Sequence, residues 1–282
     1  MRKVSECAVF LILCTALLMC LSGCGNQSAG YDPITDVNNL EGRRVGVNLA
    51  WSADFLLSDR EDVKVYRYDS TADMLMALCY QKLDAVSTDF YSSKVICAST
   101  EGVSIVEPAL YNDEGYAVLF GPDEEELCLQ FNQFLAYYRQ TADYDEWLTR
   151  MQAFDGRDYE GVEIPITGMG QVLNVAAMDD GFPTTFYDSE STEVTGYEIE
   201  LIKLFANAYD YRLAITATNM EDGILGLRYD RYDLMIGQFS ELYYNDVKNS
   251  GFFMSDCHMR LPVYLLETPD PENVRILVDL AE

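Results

Sequence analysis

Hydrophobic and polar positions alternate along the chain in short blocks that predict strands and helices by turns. Runs with strand periodicity are bounded by polar, turn-forming residues, and the segments between them carry apolar residues at helical spacing. The predicted strands are 43–49, 63–68, 83–89, 103–108, 115–121, 173–178, 212–218, 232–239 and 262–267. The predicted helices are 71–81, 92–98, one or two within 123–150, 198–209 and 222–229. This alternation predicts an α/β fold with mostly parallel sheets flanked by helices.

One helix-to-strand corner occurs twice in the sequence. QKLDAVSTDF (81–90) and DRYDLMIGQF (230–239) share a basic residue, an apolar or aromatic residue, Asp and then a buried strand. When the two copies are aligned with an offset of 149 residues, Asp89 at the end of the first copy corresponds to Gln238 at the end of the second. We therefore expect two similar lobes with a cleft between them. Ligands of open α/β sheets bind at the carboxyl ends of strands, so each lobe presents one polar strand-end group to that cleft.

The start of the chain is a separate hydrophobic block. A cationic head at residues 1–3 precedes an apolar run at 7–21, and L-S-G-C at 21–24 closes it. Such a short run indicates a signal peptide, because a spanning helix requires roughly twenty residues. The quartet resembles a bacterial lipobox, in which the cysteine, here Cys24, is lipidated and becomes the mature N-terminus. An uncleaved anchor is the alternative. In either case the remainder is expected outside the cytoplasmic membrane, held to its surface.

The chain is strongly acidic. It carries 47 Asp and Glu against 19 Lys and Arg, for a net charge of -28. Nucleic acid and anionic lipid carry charge of the same sign and would repel it, so nucleic acid is not an expected partner. We interpret the charge as a solvated surface that keeps an exported protein soluble. The part after the leader is long enough for one large or two small domains.

Cysteine and histidine are too scattered to predict a metal site. After the lipobox the cysteines are Cys79, Cys97, Cys128 and Cys257. They form no C-x-x-C pair, and His258 is the single histidine of the chain. Zinc-type sites require clustered Cys and His, so the sequence predicts neither a metal nor a cofactor. Cys79 and Cys128 lie in helix-like patterns and are predicted to be buried thiols. The sequence does not decide whether Cys79 and Cys97 form a disulfide bridge.

Four segments resemble a known family. VTGYEIELIKLFANAYDYRLAI (194–215) resembles the Thr-Gly-aromatic helix start of the extracellular solute-binding proteins of family 3. MDDGFPTTFYD (178–188) is similar to the first ligand loop of that family. NLEGRRVGVNLAWS (39–52) and LDAVSTD (83–89) are similar to its Val-Gly-Val and strand-end segments. The resemblance implies a two-lobed periplasmic-binding-protein-like fold and a receptor for a small-molecule ligand that works with an ABC permease in the membrane.

The order of these segments differs from the family order. In the family the Thr-Gly-Tyr lobe comes first, whereas here the Val-Gly-Val lobe comes first, which suggests a circular permutation. The tail VRILVDLAE (274–282) echoes ITDVNNLEG (34–42), as if the chain stopped where a family member enters its second lobe. Such rewiring costs little where the termini of a fold lie close together. The alternative is a degenerate pair of fragments that folds only as a dimer.

These observations give an expected organisation of the chain. The signal peptide covers 1–23, and the lipid anchor and tether cover 24–33. The Val-Gly-Val lobe covers 34–120, helices and a linker cover 121–171, the Thr-Gly-Tyr lobe covers 172–267, and 268–282 is a tail.

An amino-acid ligand sets three requirements. Its ammonium needs a carboxylate, its carboxylate needs an Arg fork or backbone N–H groups, and its side chain needs an apolar or aromatic wall. The resemblance implies that Asp89 binds the ammonium and that Ser240 contacts the ligand, and helix capping is the alternative role for each. Phe182 and Phe186 either sandwich the ligand or fill the core. The candidate ligand-binding residues are Trp51, Ser52, Asp89, Asp180, Phe182, Phe186, Ser240 and Tyr243.

Two departures from the family put carboxylate recognition in question. The family Arg that follows the Ser/Thr by about five residues is absent, since Asn245 or Asp246 stands there. Trp51 also replaces small hydrogen-bonding residues. Three explanations remain: Arg260 or Arg228 substitutes, the ligand is cationic or neutral, or aromatic side chains fill the pocket. The acidic and aromatic candidates favour a cation held partly by cation–π contact.

The sequence therefore predicts a solute-binding lipoprotein of an ABC-type importer that captures a small polar or cationic solute, an amino acid or related amine, by lobe closure. The crossing strands near 115–121 and 262–267 are the expected hinge. A ligand sensor or degenerate binding protein without transport shares these features. An enzyme of the same fold, such as a dehydratase, lacks support because the sequence has no Ser-His-Asp set and no phosphate-binding loop.

Overall fold

Strands and helices alternate along the described part of the chain, as the sequence predicts. The computed structural model describes residues 32–189, 191–269 and 274–276. The predicted signal peptide, the predicted lipidation site Cys24 and most of the predicted tether and tail lie outside the described residues. The described residues from Ile34 onward form one compact unit. Within the described ranges, no helix combines the length and the apolar character needed to cross a membrane.

Most of the helices agree with the predicted segments to within a few residues, but the helices at 52–58 and 244–249 were not predicted. They are α1 (Ser52–Ser58), α2 (Thr71–Cys79), α3 (Phe90–Ser99), α4 (Glu125–Tyr138), α5 (Ala142–Ala153), α6 (Tyr197–Ala208), α7 (Met220–Arg228) and α8 (Tyr244–Asn249). A short 3₁₀ helix, Glu241–Tyr243, precedes α8.

The strands include several short ones that the sequence pattern did not predict. They are β1 (Arg43–Asn48), β2 (Val63–Tyr68), β3 (Ala85–Thr88), β4 (Thr100–Glu101), β5 (Ser104–Phe120), β6 (Val172–Met178), β7 (Asp180–Gly181), β8 (Thr185–Asp188), β9 (Glu193–Thr195), β10 (Arg212–Thr218), β11 (Leu234–Ser240), β12 (Phe253–Met254), β13 (Met259–Glu267) and β14 (Arg275–Ile276). The segments 103–108 and 115–121, predicted as two strands, are the two ends of the single strand β5.

The main sheet contains two parallel groups joined by long antiparallel strands. Its order is β10-β6-β11-β5-β13-β3-β1-β2, with β12 paired to β5. Strands β6, β10 and β11 are parallel, and so are β1, β2 and β3. We call residues 43–99, which contain β1–β3, the first half and residues 172–254, which contain β6–β11, the second half. The α/β fold class is confirmed.

Strands β5 and β13 connect the two halves. Residues 116–120 of β5 pair antiparallel with β11 in the second half. The other end of β5 pairs with the end of β13, and that end of β13 also pairs with β3 in the first half. These two strands are thus the backbone links between the halves.

Local sequence explains where the helices begin. Ser70, Asp89 and Asn219 each accept a hydrogen bond from a backbone N–H in the first turn of the helix that follows, which stabilises α2, α3 and α7. At the start of α6, Gly196 has a φ of 129°, and an added Cβ would lie 2.2 Å from the carbonyl oxygen of Thr184. Only glycine fits there, which accounts for the Thr-Gly-Tyr sequence.

The core of the second half lies where α4, α5 and α6 cover the sheet. Phe131, Trp147 and Phe205 are almost fully buried there, and the rings of Phe131 and Phe205 meet edge to face at 5.1 Å. The indole of Trp147 donates to the carbonyl oxygen of Tyr197 at 3.1 Å. Burial of one such side chain contributes about 1.5–3 kcal/mol. This packing fixes α6 and the strand ends next to it.

Candidate ligand-binding site

A cavity of about 470 Å³ lies between the two halves, next to the ends of β3 and β11. The first half contributes Ala50, Trp51, Ser52, Asp89 and Ser92, and β5 contributes Tyr116 and Leu119. The second half contributes Met178, Asp180, Gly181, Phe182, Met220, Ile224, Arg228, Gly237, Gln238, Phe239, Ser240, Tyr243, Asp246, Val247, Ser250, Phe252 and Met254. The structure thus brings together every predicted ligand-binding residue except Phe186.

Asp89 is both a helix cap and a cavity residue. It follows β3 in extended geometry, and its Oδ1 accepts a hydrogen bond from the backbone N–H of Ser92 at 2.9 Å. The hydroxyl of Thr88 lies 3.3 Å from Oδ2. Capping therefore occupies one carboxylate oxygen, and each carboxylate oxygen has two lone pairs. Acceptor capacity remains on Asp89 for a cationic group in the cavity.

Gln238 reaches the cavity through a distortion of β11. The pairing of β11 with β5 shifts register between Met235 and Phe239, and within this bulge Gly237 and Gln238 have φ values of 150° and 59°. The left-handed conformation costs a non-glycine residue roughly 1–2 kcal/mol. Bulges of this kind turn side chains toward functional sites. The apolar run of this strand ends at Ile236, and a glycine inside a strand, here Gly237, is the one sequence signal that could have indicated the bulge.

A buried carboxylate holds this bulge in place. Glu198, at the start of α6, accepts a hydrogen bond from the backbone N–H of Gln238 at 3.1 Å. Its other oxygen lies 2.9 Å from Nε2 of His258, and both side chains are almost fully buried. His258 packs beside Trp147, with 6.4 Å between ring centroids. The single histidine therefore has a structural position behind the cavity.

Trp51 of the first half and Tyr243 of the second half both line the cavity. The phenolic hydroxyl of Tyr243 donates to the carbonyl oxygen of Ala50, and its ring meets that of Phe55 at 4.7 Å. Burial raises the pKa of Tyr243, so the hydroxyl stays a donor across the physiological range. Trp51 precedes α1 and is 48% exposed. Its indole does not fill the cavity.

Glu114 lies behind the cavity lining, and the sequence analysis missed it. It is fully buried on β5, where the hydroxyl of Tyr116 donates to its Oε2 at 2.6 Å. Burial raises the pKa of Glu114, and hydrogen bonds from Ser52 and Ser240 oppose that rise. Ser52 belongs to the first half and Ser240 to the second, so residues of both halves influence the pKa of this carboxyl group. Glu114 stands in the polar run LYNDEGY, and nothing in that pattern separates it from exposed acids.

Of the remaining candidate residues, Ser240, Asp180 and Phe182 line the cavity and Phe186 does not. The hydroxyl of Ser240 caps the 3₁₀ helix by accepting from the backbone N–H of Leu242 at 3.3 Å, so its capping role is observed. Asp180 is exposed at the start of β7 and lines the cavity. Phe182 lines it too, whereas Phe186 packs against Phe182 at 4.8 Å, outside the lining. The prediction that the two rings face each other across a ligand is not supported by this arrangement.

The structure separates the two arginines proposed to replace the family arginine. Arg228 lines the cavity, with its guanidinium 4.8 Å from the ring centroid of Phe252 and 3.5 Å from the carbonyl oxygen of Ser250. Arg260 lies outside the lining and pairs with Glu241 at 2.7 Å. Hydrogen bonding to that carboxylate raises the pKa of Arg260. Arg228 is therefore the arginine placed to meet a ligand.

The cysteines are free thiols in the described structure. Cys128 is buried, as predicted, whereas Cys79, Cys97 and Cys257 are partly buried. Cys79 and Cys97 do not form the bridge that the sequence left open. Burial raises the pKa of the Cys257 thiol to about 12, and its hydrogen bond to Glu241 adds to the rise. None of these residues lines the cavity.

Residues 173–243 match the bacterial extracellular solute-binding proteins, family 3. The matched segment contains Asp180, Phe182, Gln238, Ser240 and Tyr243, which all line the cavity. This match confirms the resemblance drawn from the sequence motifs. Among curated proteins, none matches the chain in sequence.

Several solved structures are similar in fold. A ligand-binding component of an ABC-type import system from Staphylococcus aureus, solved with zinc bound, has 10% identity and a TM-score of 0.43. The alignment covers 81% of this chain and 66% of that chain, slightly less than two thirds of its length. A probable amino-acid ABC transporter extracellular-binding protein from Bacillus subtilis has 10% identity and a TM-score of 0.42, covering 81% of this chain and 84% of that chain.

An ancestral amino-acid-binding protein, a precursor of cyclohexadienyl dehydratase, has 14% identity and a TM-score of 0.39. The alignment covers 82% of this chain and 83% of that chain. With TM-scores below 0.5, these likenesses carry no argument about ligand or partner.

Proposed function

We propose that this chain is an extracytoplasmic solute-binding protein that captures a small polar or cationic solute in the cavity between its halves. The observation that carries the proposal is the composition of that cavity. Asp89 and Gln238 occupy corresponding positions in the two copies of one helix-to-strand corner, and both line the same space. A ligand that contacts both residues would hold the two halves together.

Closure of the two halves is the mechanism that we propose. A ligand favours the closed arrangement only as far as it binds that arrangement more tightly than the open one. Strands β5 and β13 link the halves and serve as the hinge. The contact of Tyr243 with Ala50 supports this mechanism, because a residue of the second half meets the backbone of the first beside the cavity. In this mechanism residues 34–120 and 172–267 are the two lobes.

We propose an ABC-type importer as the partner and lipidation of Cys24 as the attachment to the outer face of the cell membrane. The match of residues 173–243 to a family of extracellular solute-binding proteins supports the importer. The L-S-G-C sequence at 21–24 supports the anchor. The same match favours a binding protein over an enzyme. A neighbouring permease would distinguish transport from sensing.

We propose further that the chain is circularly permuted relative to its family. The backbone N–H of Ile34, where the compact unit begins, donates to Oε2 of Glu267 at the end of β13 at 3.1 Å. In an unpermuted order β13 would lead directly into the segment that starts at residue 34, and this hydrogen bond brings those two points together. The arrangement supports rewiring without a change in packing.

A thermal-shift screen of residues 25–282 tests the proposed function. The screen includes amino acids, polyamines, quaternary amines and short peptides. A true ligand at a hundred times its Kd stabilises the folded protein by about 2.7 kcal/mol, which raises the Tm by roughly 5–10 °C at this chain length.

The matched variants for the screen are Asp89→Asn, within the cavity, and Asp69→Asn, an exposed residue of the same half outside the lining. We expect the shift to shrink in Asp89→Asn and to persist in Asp69→Asn. A cooperative melt that no compound shifts, or a shift that Asp89→Asn leaves unchanged, would contradict the proposal.

A further inference from the structure

The cavity extends beyond the strand-end residues into the second half. Met220, Ile224 and Arg228 of α7 line it, and residues four apart share one face of a helix. At 1.5 Å per residue this face runs for about 12 Å. The helix begins just after the carboxyl end of β10, so its first turn lies at the strand-end side of the cavity and Arg228 lies at the other end.

The lining beside α7 is mostly apolar. Val247, on α8, and Phe252 and Met254, which follow it, line the cavity together with the α7 face. Along β5 the lining changes from Tyr116, which pairs with Ser240, to Leu119, which pairs with Met254. Polar groups thus lie at the strand ends, and apolar side chains lie between α7 and α8.

The two ends of the cavity carry opposite charges. Asp89 and Asp180 lie at the strand ends, and Asp246 lines the cavity from α8, between Tyr243 and Ser250. Arg228 is at the far end, and no carboxylate of the described residues is within ion-pair distance of it. Its guanidinium stacks on Phe252, so N–H groups remain available for a planar acceptor such as a carboxylate.

We propose that the ligand is an elongated zwitterion, with an ammonium and a carboxylate separated by an apolar chain. The ammonium meets Asp89 and Asp180, the chain lies between α7 and α8, and the carboxylate meets Arg228. An α-amino acid with an uncharged side chain carries both charged groups on one carbon and cannot place one at each end of a face about 12 Å long. This inference rests on the proposed function, because it names the ligand class of the same cavity.

Isothermal titration calorimetry with ω-amino carboxylates tests the inference. The series is ω-aminobutanoate, ω-aminohexanoate and ω-aminooctanoate, with alkylamines of matched length and ordinary α-amino acids beside them. Each methylene placed against the apolar lining is expected to tighten binding roughly two- to fourfold. The carboxylate at the chain end is expected to add at least about tenfold over the alkylamine of equal length.

Two arginine variants separate Arg228 from the general charge of the surface. Arg228→Gln is expected to remove the advantage of the ω-amino carboxylate and to leave alkylamine binding unchanged. Arg231→Gln, an exposed arginine outside the lining, is the matched control and is expected to change neither.

The outcomes distinguish this inference from the proposed function. Tighter binding with chain length, lost in Arg228→Gln alone, supports the inference. If α-amino acids bind and the ω-amino carboxylates do not, or if affinity is independent of chain length, the inference is overturned and the proposed function stands. If no compound of the series or of the wider screen binds the folded protein, both the inference and the proposed function are wrong.

Discussion

The two copies of the repeated corner reach the same cavity by different backbone routes. In the first copy β3 ends at Thr88, and Asp89 takes the extended geometry of a helix cap, with φ -62° and ψ 171°. In the second copy β11 continues through a bulge, and Gln238 lies within it at a φ of 59°. Helix α3 stabilises the first corner, whereas the buried Glu198 stabilises the second.

The difference between the corners shows how one sequence pattern can serve two chemical roles. Asp89 presents a negative charge whose position is fixed by a local hydrogen bond. Gln238 presents a neutral amide, and its Nε2 lies 3.4 Å from the carbonyl oxygen of Gly181. A strained residue that persists at a site requires support from its surroundings. We therefore expect the second corner to depend on distant residues and the first to depend on its own helix.

The largest effect is expected from Glu198→Ala. Removal of the carboxylate leaves the backbone N–H of Gln238 without its hydrogen-bond partner and takes away the carboxylate oxygen that lies 2.9 Å from Nε2 of His258. A buried group left unpaired costs about 1–3 kcal/mol. Urea unfolding is expected to show a loss of about 2–5 kcal/mol in the free energy of unfolding. Glu193→Ala, an exposed residue of β9, is the control and should change it by less than about 0.5 kcal/mol. An equal loss in the free energy of unfolding in both variants would show that Glu198 does not stabilise the second corner.

The next effect separates the two roles of Asp89. Asparagine caps helices about as well as aspartate, so Asp89→Asn is expected to unfold at the wild-type urea concentration, whereas Asp89→Ala loses about 1 kcal/mol. Both variants remove the negative charge, and both are expected to weaken binding of an ammonium ligand at least about tenfold. Calorimetry and urea unfolding of the two variants provide the test. If Asp89→Ala kept full affinity, Asp89 would be a cap alone.

A pH dependence is expected from Glu114, which lies between the two corners. Burial raises its pKa above the usual 4.5, so the folded state holds this proton more tightly than the unfolded chain does. Between the usual and the raised pKa the folded state binds more protons, and its stability falls as pH rises through that window. Glu114→Gln cannot ionise and is expected to flatten this fall in urea unfolding. Glu107→Gln, exposed on the same strand, should keep the wild-type slope. A slope unchanged by Glu114→Gln would contradict the raised pKa.

The smallest effect is expected from Gln238→Gly. Glycine adopts a φ of 59° without strain but loses more entropy on folding, so the two effects offset each other within about 1 kcal/mol. Asp230→Gly, at a φ of 54° outside the lining, is the matched control. Both variants should have similar thermal midpoints, and only Gln238→Gly should weaken ligand binding. Unchanged affinity would show that the side chain of Gln238 does not contact the ligand.

Much of the fold could be predicted because strand and helix periodicities are local properties. Strand β2 and the helices α2 and α6 agree closely with the apolar pattern. The continuity of β5 could not be predicted, because Pro108, Asn112, Asp113 and Gly115 within it are typical of turns. Pairing with β13 on one side and β11 on the other overrides that local preference.

The candidate site was predictable where it depends on strand ends and not where it depends on packing. Asp89 and Gln238 were found by the internal repeat. Glu114 and the apolar extension of the cavity depend on how β5, α7 and α8 come together, which no single sequence window records. Phe186 was predicted as a ligand wall, and the structure packs it beneath Phe182 instead.

The most direct test of the central claim is calorimetric titration of the ligand found in the thermal screen into the wild type, Asp89→Asn and Gln238→Ala. These two variants change one strand-end residue in each half. If the halves form one binding site, both variants remain folded by their thermal melts and both lose at least about tenfold in affinity. Full affinity in either variant would show that the ligand contacts only one half, and the account of a shared cavity that closes on its solute would be wrong.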